Sequence, residues 1–251
     1  MVEVQVTKEA ALTRTLVADR VFRTIQDVLK VQPTVRLGLT GGTDGQAITA
    51  TLDALLRTVQ LPAQSVHIWW SDERFVELDD ALRNDLELVN QQQLLGLNEA
   101  LVIHRCPAPS DCTSIEQAAA KVAEEFGDQQ LDVAVIGVGP DGHVASLFPG
   151  LWDANEKRPF IGVVDSPKAP AERITMTFEY LKKSAQIFVV ATGEAKASAV
   201  AQGIAGNTEL PVGALISLPN TRLFLDESAA SLINNEPSTQ SDTKIQSTEM
   251  S

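Results

Sequence analysis

Short apolar runs alternate along the chain with longer stretches in which apolar residues recur at helical spacing. The helical stretches are Lys8–Lys30, about Gln46–Val59, the region of Leu86–Leu95, Ser114–Phe126 and a segment after TGEAK. The strand-like runs are Thr34–Leu39, Ser65–Trp70, Leu131–Ile136, Ile161–Val164, Gln186–Ala191 and TRLFLD; PVGALISL fits a strand or a helical turn. This order predicts an α/β fold, a three-layer helix–sheet–helix sandwich around a mostly parallel, Rossmann-like sheet.

The pattern changes near the carboxyl end. Residues 1–232 are expected to form a single α/β domain with a smaller embellishment, because no internal repeat or linker interrupts them. Residues 233–251 are polar, rich in Ser and Thr and without periodicity, so we expect a disordered tail there.

Four polar or glycine-rich segments each follow a predicted strand directly. They are TGGTDG, SDER, GVGPDGH and TGEAK. In an open parallel sheet the carboxyl ends of the strands lie along one edge, and ligands bind in the crevice there. The sequence therefore predicts one site built from these four segments.

The charge balance limits the possible partners. Twenty Lys and Arg against 33 Asp and Glu give a formal net charge of −13. We therefore expect no nucleic-acid partner and no anionic membrane surface, since both need a basic face. An anionic substrate would need a local cluster of Arg or Lys. No apolar run approaches the roughly 20 residues of a membrane span, and MVEVQVTKEA lacks the features of a secretory signal, so a cytoplasmic protein is expected.

The two cysteines, Cys106 and Cys112, have no His or Cys neighbour at metal-ligand spacing. We expect no metal site and two free thiols, although a small disulfide loop between them is geometrically possible.

The segment GVGPDG matches the spacing of a dinucleotide fingerprint at Gly137, Gly139 and Gly142. Pro140 interrupts the turn, however, and Pro149-Gly150 would stop a following helix after about two turns. The long helix that a nicotinamide cofactor requires is therefore not expected, and an oxidoreductase is a rival interpretation only.

TGGTDG is not a P-loop, because no Gly-Lys-Ser/Thr follows it. Gly41 and Gly42 still allow a tight turn, and the amide groups at the start of the next helix suit an anion, with Thr40 and Thr43 adding hydroxyl donors. A strand-to-helix turn without a ligand is the alternative.

Of the three histidines, His67 and His104 lie within apolar runs and are expected to be packed strand residues. His143 follows a Gly-rich turn at the end of a strand, where an imidazole suits general-base chemistry near neutral pH. A helix-capping or solvent-facing role is its alternative. Ser146 lacks the G-x-S-x-G setting of a nucleophile and is expected to cap or pack a short helix.

Three cations lie near predicted strand ends. Arg74 stands in SDER beside Asp72, Arg173 stands in ERITMTF and Lys196 in TGEAK. An arginine fork and a lysine point charge both suit phosphate, although each is commonly a surface ion-pair partner.

Taken together, these segments resemble the 6-phosphogluconolactonase family from about Leu37 to Lys196. LGLTGGTDG is similar to its phosphate loop, WWSDERFV with the trailing Asn84 to its Asp-Glu-Arg segment, and GVGPDGHVASLFPG is nearly its signature. RITMTFEYLKKSAQIFVVATGEAK resembles its Arg-Ile-Thr and Thr-Gly-x-x-Lys blocks. Gly45 departs from the family, many of whose members carry Pro there. Glucosamine-6-phosphate deaminases are the nearest relatives, but their pattern has an aromatic residue after Asp-Glu and Phe-Asn-Glu in place of Ser-Leu-Phe.

The resemblance implies a lactonase-type domain that hydrolyses 6-phospho-D-glucono-1,5-lactone without metal or other cofactor, acting as a monomer or weak homo-oligomer. The implied general base is His143. Arg74 would lie by the lactone and Asp72 by the base or the water. Arg173, Lys196 and the backbone of Gly41, Gly42 and Thr43 would bind the phosphate. A deaminase/isomerase and a non-enzymatic sugar-phosphate binder are the alternatives.

Overall fold

In a computed structural model, residues 2–233 and 245–247 are described, and these form eleven strands and seven α-helices. The strands are β1 (Glu3–Thr7), β2 (Val35–Leu39), β3 (Val66–Trp70), β4 (Asp72–Arg74), β5 (Leu101–Ile103), β6 (Val133–Gly137), β7 (Phe160–Val163), β8 (Arg173–Met176), β9 (Gln186–Ala191), β10 (Thr221–Asp226) and β11 (Ile245–Ser247). The helices are α1 (Ala10–Val28), α2 (Gly42–Leu56), α3 (Leu86–Leu95), α4 (Ile115–Phe126), α5 (Phe178–Leu181), α6 (Ala197–Ile204) and α7 (Pro211–Ile216).

Eight strands form one sheet in the order β11-β1-β10-β9-β6-β2-β3-β5, and every neighbouring pair in it is parallel. A second, smaller sheet has the order β4-β8-β7 and is antiparallel. Its strand β4 follows β3 after a single residue, so the small sheet begins at the carboxyl edge of the large one.

The large sheet separates two hydrophobic cores. Along β9, Ile187 and Val189 pack into one core, and Phe188 and Val190 pack into the other. The first core also contains residues of α4, α6 and α7, and the second contains residues of α1, α2 and α3. Because alternate side chains point to opposite faces of a strand, a continuous apolar run is buried on both sides. The predicted three-layer α/β sandwich is confirmed.

The element boundaries depart from the sequence prediction in three informative places. β1 was not predicted, although the alternation of Val4 and Val6 is typical of a strand. The charged segment Asp72–Arg74 is a strand rather than an exposed turn. The ambiguous PVGALISL segment forms α7, which begins with Pro211 in the first helical position, where its fixed φ is favourable.

The predicted disordered tail, 233–251, lies largely outside the described residues. The exception is β11, for which the expectation of disorder is not met, because residues 245–247 pair in parallel with Val4–Val6. An edge strand presents unpaired amide and carbonyl groups that can accept a further strand, whatever the composition of that strand.

His67 and His104 are packed as predicted. His67 belongs to β3, and its Nδ1 lies 2.9 Å from Nε2 of His104, whose ring stacks on Trp69 with centroids 3.8 Å apart. The His104 Nδ1 lies 2.6 Å from a carboxylate oxygen of Glu125 in α4. This chain of contacts ties the edge of the sheet to the helix layer and lies outside the cavity described below.

Both Cys106 and Cys112 are free thiols, as expected. Within residues 2–233 and 245–247, none of the helices has the length and apolar character needed to cross a membrane.

Candidate active site

A cavity of about 610 Å³ opens at the carboxyl edge of the large sheet, where the loops after β2 and β6 meet. Strand order reverses there, because the chain runs outward from β2 to β3 and later returns to place β6 on the other side of β2. Thr40 Oγ1 accepts a hydrogen bond of 3.3 Å from the backbone N–H of Gly137 and so spans the crevice. Such a reversal is the usual ligand-binding position in a parallel sheet.

All eight residues predicted for the site line this cavity. They are Gly41, Gly42, Thr43, Asp72, Arg74, His143, Arg173 and Lys196. The four strands that precede the four polar segments, β9, β6, β2 and β3, are consecutive neighbours in the sheet. The individual roles of the eight residues stay predictions.

The glycine loop is part of a helix. α2 begins at Gly42, four residues earlier than predicted, with Gly41 as its N-cap. Gly42 has φ +71°, which glycine adopts readily, and a Cβ on Gly41 would overlap the side chain of Asn84. Residues 41–44 at the start of this 15-residue helix line the cavity, and the free amide groups of a first helical turn favour an anion.

Gly45 lies one turn into the same helix and is buried. A Cβ at this position would lie 2.0 Å from the backbone oxygen of Thr40. The start of α2 thus packs directly on the end of β2. Gly45 fits this close approach because it has no Cβ, which the Pro found in the family that the sequence resembles would have.

The Asp-Glu-Arg segment is fixed by a buried carboxylate. Glu73 Oε1 accepts hydrogen bonds from the backbone N–H groups of Arg74 (2.8 Å) and Asn84 (2.7 Å), and Oε2 accepts one from Asp85 (3.0 Å). Burial, with a smaller contribution from nearby Asp85, raises the pKa of Glu73 to about 7. Glu73 therefore joins β4 to the segment 84–85, and no part of its side chain is needed at the cavity surface.

A buried ion pair between Arg83 and Asp85 stabilises the contact between β4 and residues 84–85. Arg83 makes a two-point ion pair with Asp85, Nε to Oδ1 at 2.9 Å and Nη2 to Oδ2 at 2.6 Å, and both side chains are fully buried. Arg105 approaches the same carboxylate from the half-exposed side, at 2.9 and 3.0 Å. Burial opposes ionisation of Asp85, but the two arginines outweigh it and lower its pKa.

Asn84 and Arg74 are presented to the cavity by this framework. Asn84 Nδ2 donates to the backbone oxygen of Asp72 at 2.8 Å, and its Oδ1 accepts from Arg74 Nη1 at 2.5 Å. Arg74 Nη1 also donates to the carbonyl of Leu82 at 2.6 Å. The guanidinium is therefore oriented before any ligand binds.

Asp72 and Arg173 meet across the small sheet, in which Arg173 pairs directly opposite Arg74. Asp72 Oδ2 accepts a 2.7 Å hydrogen bond from the hydroxyl of Ser146 and lies 3.8 Å from Arg173 Nη1. Ser146 belongs to a turn that holds Asp72, so the expectation that it caps or packs a short helix is wrong.

Arg173 also holds the loop that precedes its own strand. Its Nε donates to the carbonyl of Pro170 at 3.1 Å, and Nη2 donates to the carbonyls of Lys168 (3.1 Å) and Ala169 (3.4 Å). The side chain is nearly buried and combines a structural task with its position on the cavity wall.

His143 stands on a tight turn after β6, closed by the bridge between Val138 and Val144. Its Nδ1 lies 2.5 Å from Asp141 Oδ1, and the Phe148 ring packs against the imidazole with centroids 4.8 Å apart. Lys168 Nζ is 3.3 Å from the same Nδ1. Burial lowers the pKa of His143 and Lys168 lowers it further, while Asp141 and Asp72 act in the opposite direction.

This geometry specifies a neutral imidazole with one free nitrogen. The lowered pKa of His143 favours the neutral ring, and a carboxylate at Nδ1 favours the tautomer that carries its proton there. The lone pair of Nε2 is then available as a proton acceptor.

Lys196 ends a short 3-10 helix, residues 194–196, between β9 and α6, and donates to the carbonyl oxygen of Val138 beside the His143 turn. Burial lowers its pKa, partly offset by the charge of Asp44 in α2. The lysine thus lines the same cavity as the first turn of α2 and is near enough to Asp44 to feel its charge.

Asp141 and Lys168 are two residues near His143 that sequence analysis missed. Asp141 is separated from His143 by a single residue, and a carboxylate so close to a candidate base is a usable signal. Lys168 carries no such signal, because it arrives on the loop before β8, in the second sheet.

The helix expected of a dinucleotide fingerprint does not occur, since turns and isolated bridges follow Gly139 up to residue 150. Among the described residues, no group of three or more His, Cys, Asp or Glu side chains is arranged to hold a metal ion.

Comparison with known proteins identifies the family. Residues 7–224 match the family model described as glucosamine-6-phosphate isomerases/6-phosphogluconolactonase. The chain belongs to this family. A relative from Mycobacterium leprae named 6-phosphogluconolactonase is 32% identical over 231 residues, which cover 85% of this chain and 91% of the relative.

Solved structures of family members share the fold. A 6-phosphogluconolactonase from Shewanella baltica superposes with a TM-score of 0.75 at 22% identity, over 89% of this chain and 97% of that one. A monomeric glucosamine-6-phosphate deaminase superposes with a TM-score of 0.71 at 20% identity, over 92% and 99%. The fold alone therefore does not separate a lactonase from a deaminase.

The contact between Gly45 and Thr40 predicts that Gly45→Ala lowers stability by about 1–3 kcal/mol, because the added methyl group forces the start of α2 away from β2. Urea unfolding measures this change, and the affinity for inorganic phosphate is expected to fall with it. Gln46→Ala, at the exposed next position, is the matched control and should change stability by less than about 0.5 kcal/mol. A Gly45→Ala protein as stable as the control would contradict the contact.

Proposed function

We propose that the protein hydrolyses 6-phospho-D-glucono-1,5-lactone to 6-phosphogluconate, the activity for which its Mycobacterium leprae relative is named. The observation that carries the proposal is the pairing of His143 with Asp141 inside a cavity lined by Arg74, Arg173 and Lys196. A chain of net charge −13 that places five cationic side chains on the wall of the cavity that holds His143 is suited to an anionic substrate.

In the proposed reaction His143 acts as the general base. Its Nε2 takes a proton from water as the water oxygen attacks C1 of the lactone, and Asp141 holds the ring and stabilises the imidazolium that forms. The carbonyl oxygen becomes an oxyanion, for which Arg74 is the proposed donor. The C1–O bond of the ring then breaks, and the ring oxygen leaves as a hydroxyl after receiving the proton from His143.

Asp72 is proposed to lie beside the base and the attacking water. Its carboxylate is held by Ser146 and faces Arg173, so its position is set from two sides. Its negative charge also favours the imidazolium of His143 as that cation forms.

The phosphate is proposed to bind at the start of α2. Backbone amides of Gly41, Gly42 and Thr43 would donate to its oxygens, and Lys196 and Arg173 would supply the opposite charge. This arrangement binds a group remote from the reacting carbonyl, so its energy is expected to appear in ground-state and transition-state binding alike.

A deaminase of the same family is the alternative enzyme. Phe148 argues against it, because this apolar ring packs on His143 in the segment where the deaminase pattern places a carboxylate. A non-enzymatic sugar-phosphate binder would use the phosphate end of the cavity but would have no use for an imidazole paired with Asp141.

The proposed function also includes a cellular location and an oligomeric state. The acidic charge and the small polar cavity suit a cytoplasmic enzyme that acts on a small molecule without nucleic acid, metal or cofactor, as a monomer or weak homo-oligomer.

The deciding experiment assays hydrolysis of freshly generated 6-phospho-D-glucono-1,5-lactone, with glucosamine-6-phosphate tested in parallel. We expect catalysed release of 6-phosphogluconate and no ammonia from the amino sugar. Ammonia release with no lactonase activity would favour the deaminase, and neither activity together with tight binding of sugar phosphates would favour the binder.

His143→Ala is expected to lower kcat by at least two orders of magnitude, because a positioned base contributes typically 10²–10⁴-fold. Binding of 6-phosphogluconate, measured by calorimetry, should stay close to that of the wild type. His104→Ala is the matched control, since this imidazole lies outside the cavity, and it should keep its turnover. Full turnover by His143→Ala would refute the assignment of the base.

The pH profile tests the charge environment of His143. Because the neutral ring is the active form and its pKa is lowered, kcat/KM is expected to rise with pH through a value below 6.5 and then level off. Asp141→Asn removes a charge that raises this pKa, so the rising limb should move to lower pH while kcat falls at least tenfold. If the rising part of the Asp141→Asn profile moved to higher pH instead, the pairing of His143 with Asp141 would be wrong.

Lys196→Ala is expected to raise KM for the phosphorylated lactone at least tenfold with little change in kcat, because the phosphate is bound similarly in ground and transition states. Lys121→Ala, which removes an exposed charge from α4, is the control and should leave both constants unchanged. A fall in kcat alone would place Lys196 at the reacting carbonyl instead. Lys196 suits this test better than Arg173, whose loss would also free the carbonyls of residues 168–170.

A further inference from the structure

An additional arginine reaches the cavity from a part of the chain that contributes nothing else charged to it. Arg14 lies in α1, 26 residues before the glycine loop, and lines the cavity together with Ala10, one helical turn earlier. The helix α1 packs beside α2, so the arginine arrives at the first turn of α2, next to the proposed phosphate position.

The guanidinium of Arg14 is held in place. Its Nε donates to Asp44 Oδ1 at 2.7 Å, and its Nη2 lies 3.4 Å from the hydroxyl oxygen of Thr192. The Thr192 hydroxyl in turn donates to the same Asp44 oxygen at 2.7 Å. The side chains of Arg14 and Asp44 are 24% and 13% exposed, so this triangle is an organised part of the cavity wall rather than a surface ion pair.

Asp44 by itself would be unfavourable in a phosphate loop. It is the third residue of α2, and its carboxylate lies in the turn whose amide groups would face the phosphate. An unpaired negative charge there would repel a second anion. The ion pair with Arg14 offsets that charge. Because Nε donates to Asp44 and Nη2 to Thr192, the N–H groups of Nη1 are the ones that would donate to a phosphate.

We infer that Arg14 is a further phosphate-binding residue of this site, and that Asp44 and Thr192 position its guanidinium beside the first turn of α2. The phosphate would then be held by α2 amides and by Arg14 on α1, in addition to Lys196 and Arg173. This inference rests on the proposed function, because it assigns Arg14 to the phosphate of the same substrate.

The first test is the kinetics of Arg14→Ala on the phosphorylated lactone and on D-glucono-1,5-lactone, which lacks the phosphate. We expect KM for the phosphorylated substrate to rise at least tenfold with kcat unchanged, and the second-order rate constant for the unphosphorylated lactone to stay at the wild-type value. Arg23→Ala removes an equal charge from an exposed position of α1 and is the matched control. An unchanged KM, or an equal loss on both substrates, would overturn the inference.

The second test separates contact with the phosphate from simple neutralisation of Asp44. Asp44→Asn removes the charge but keeps an oxygen that can accept from Arg14. In that background Arg14→Ala should still raise KM at least tenfold if the guanidinium binds the phosphate. If the double variant has the same KM as Asp44→Asn, Arg14 acts only on Asp44 and the inference fails.

A binding measurement keeps the inference distinct from the catalytic proposal. Inorganic phosphate should raise the melting temperature of the wild type and of Arg23→Ala, and raise that of Arg14→Ala much less. The melting temperatures without phosphate report whether each variant folds, and Arg14→Lys serves if Arg14→Ala does not. A wild type that hydrolyses no lactone would refute the proposed function, whereas equal stabilisation of all variants by phosphate would refute the role of Arg14.

Discussion

Parallel pairing of β9, β6, β2 and β3 is the constraint on which the cavity depends. Parallel strands require a crossover after each strand, so every strand in this group ends at the same edge and every following loop begins there. As a consequence, residues more than 150 positions apart in the sequence, such as Thr40 and Lys196, line the same cavity of about 610 Å³. The chemistry then needs only short polar segments in place, and the two hydrophobic cores hold the strands that carry them.

The segment that carries Arg74 and Asn84 is held in place by a group of buried ionisable side chains. Glu73, Arg83 and Asp85 are three ionisable groups in the protein interior, where the charged form of each is costly unless partners are supplied. Here the partners are backbone amides, a two-point ion pair and a second arginine, and the side chains that emerge from this cluster are Arg74 and Asn84. The interior charges therefore act at the cavity indirectly, by fixing the direction of a guanidinium. Such preorganisation reduces the ordering that substrate binding would otherwise require.

Sequence reasoning predicted the two helix layers, the central strands of the parallel sheet and the site residues that follow them, because each depends on local periodicity and on the rule that parallel strands end together. Arg173 begins β8 of the second sheet, so the resemblance to the family, and not this rule, assigned it to the phosphate. It did not predict β4 as a strand, since three consecutive charged residues have no apolar alternation and are buried by partners distant in sequence. It also missed Lys168 and Arg14. Both reach the cavity from elements that do not end at that edge, so their presence follows from packing between elements rather than from any local pattern.

The ammonium group of Lys168, 3.3 Å from Nδ1 of His143, has a consequence for the second half of a hydrolytic cycle. Once the ring has accepted a proton, two positive charges lie side by side, and Asp141 is shared between them. Their repulsion makes the imidazolium a stronger acid than it would be beside Asp141 alone. In the proposed mechanism, the neighbour that weakens His143 as a base therefore also favours its return to the neutral form, and protonation of the departing oxygen would restore the base for the next water.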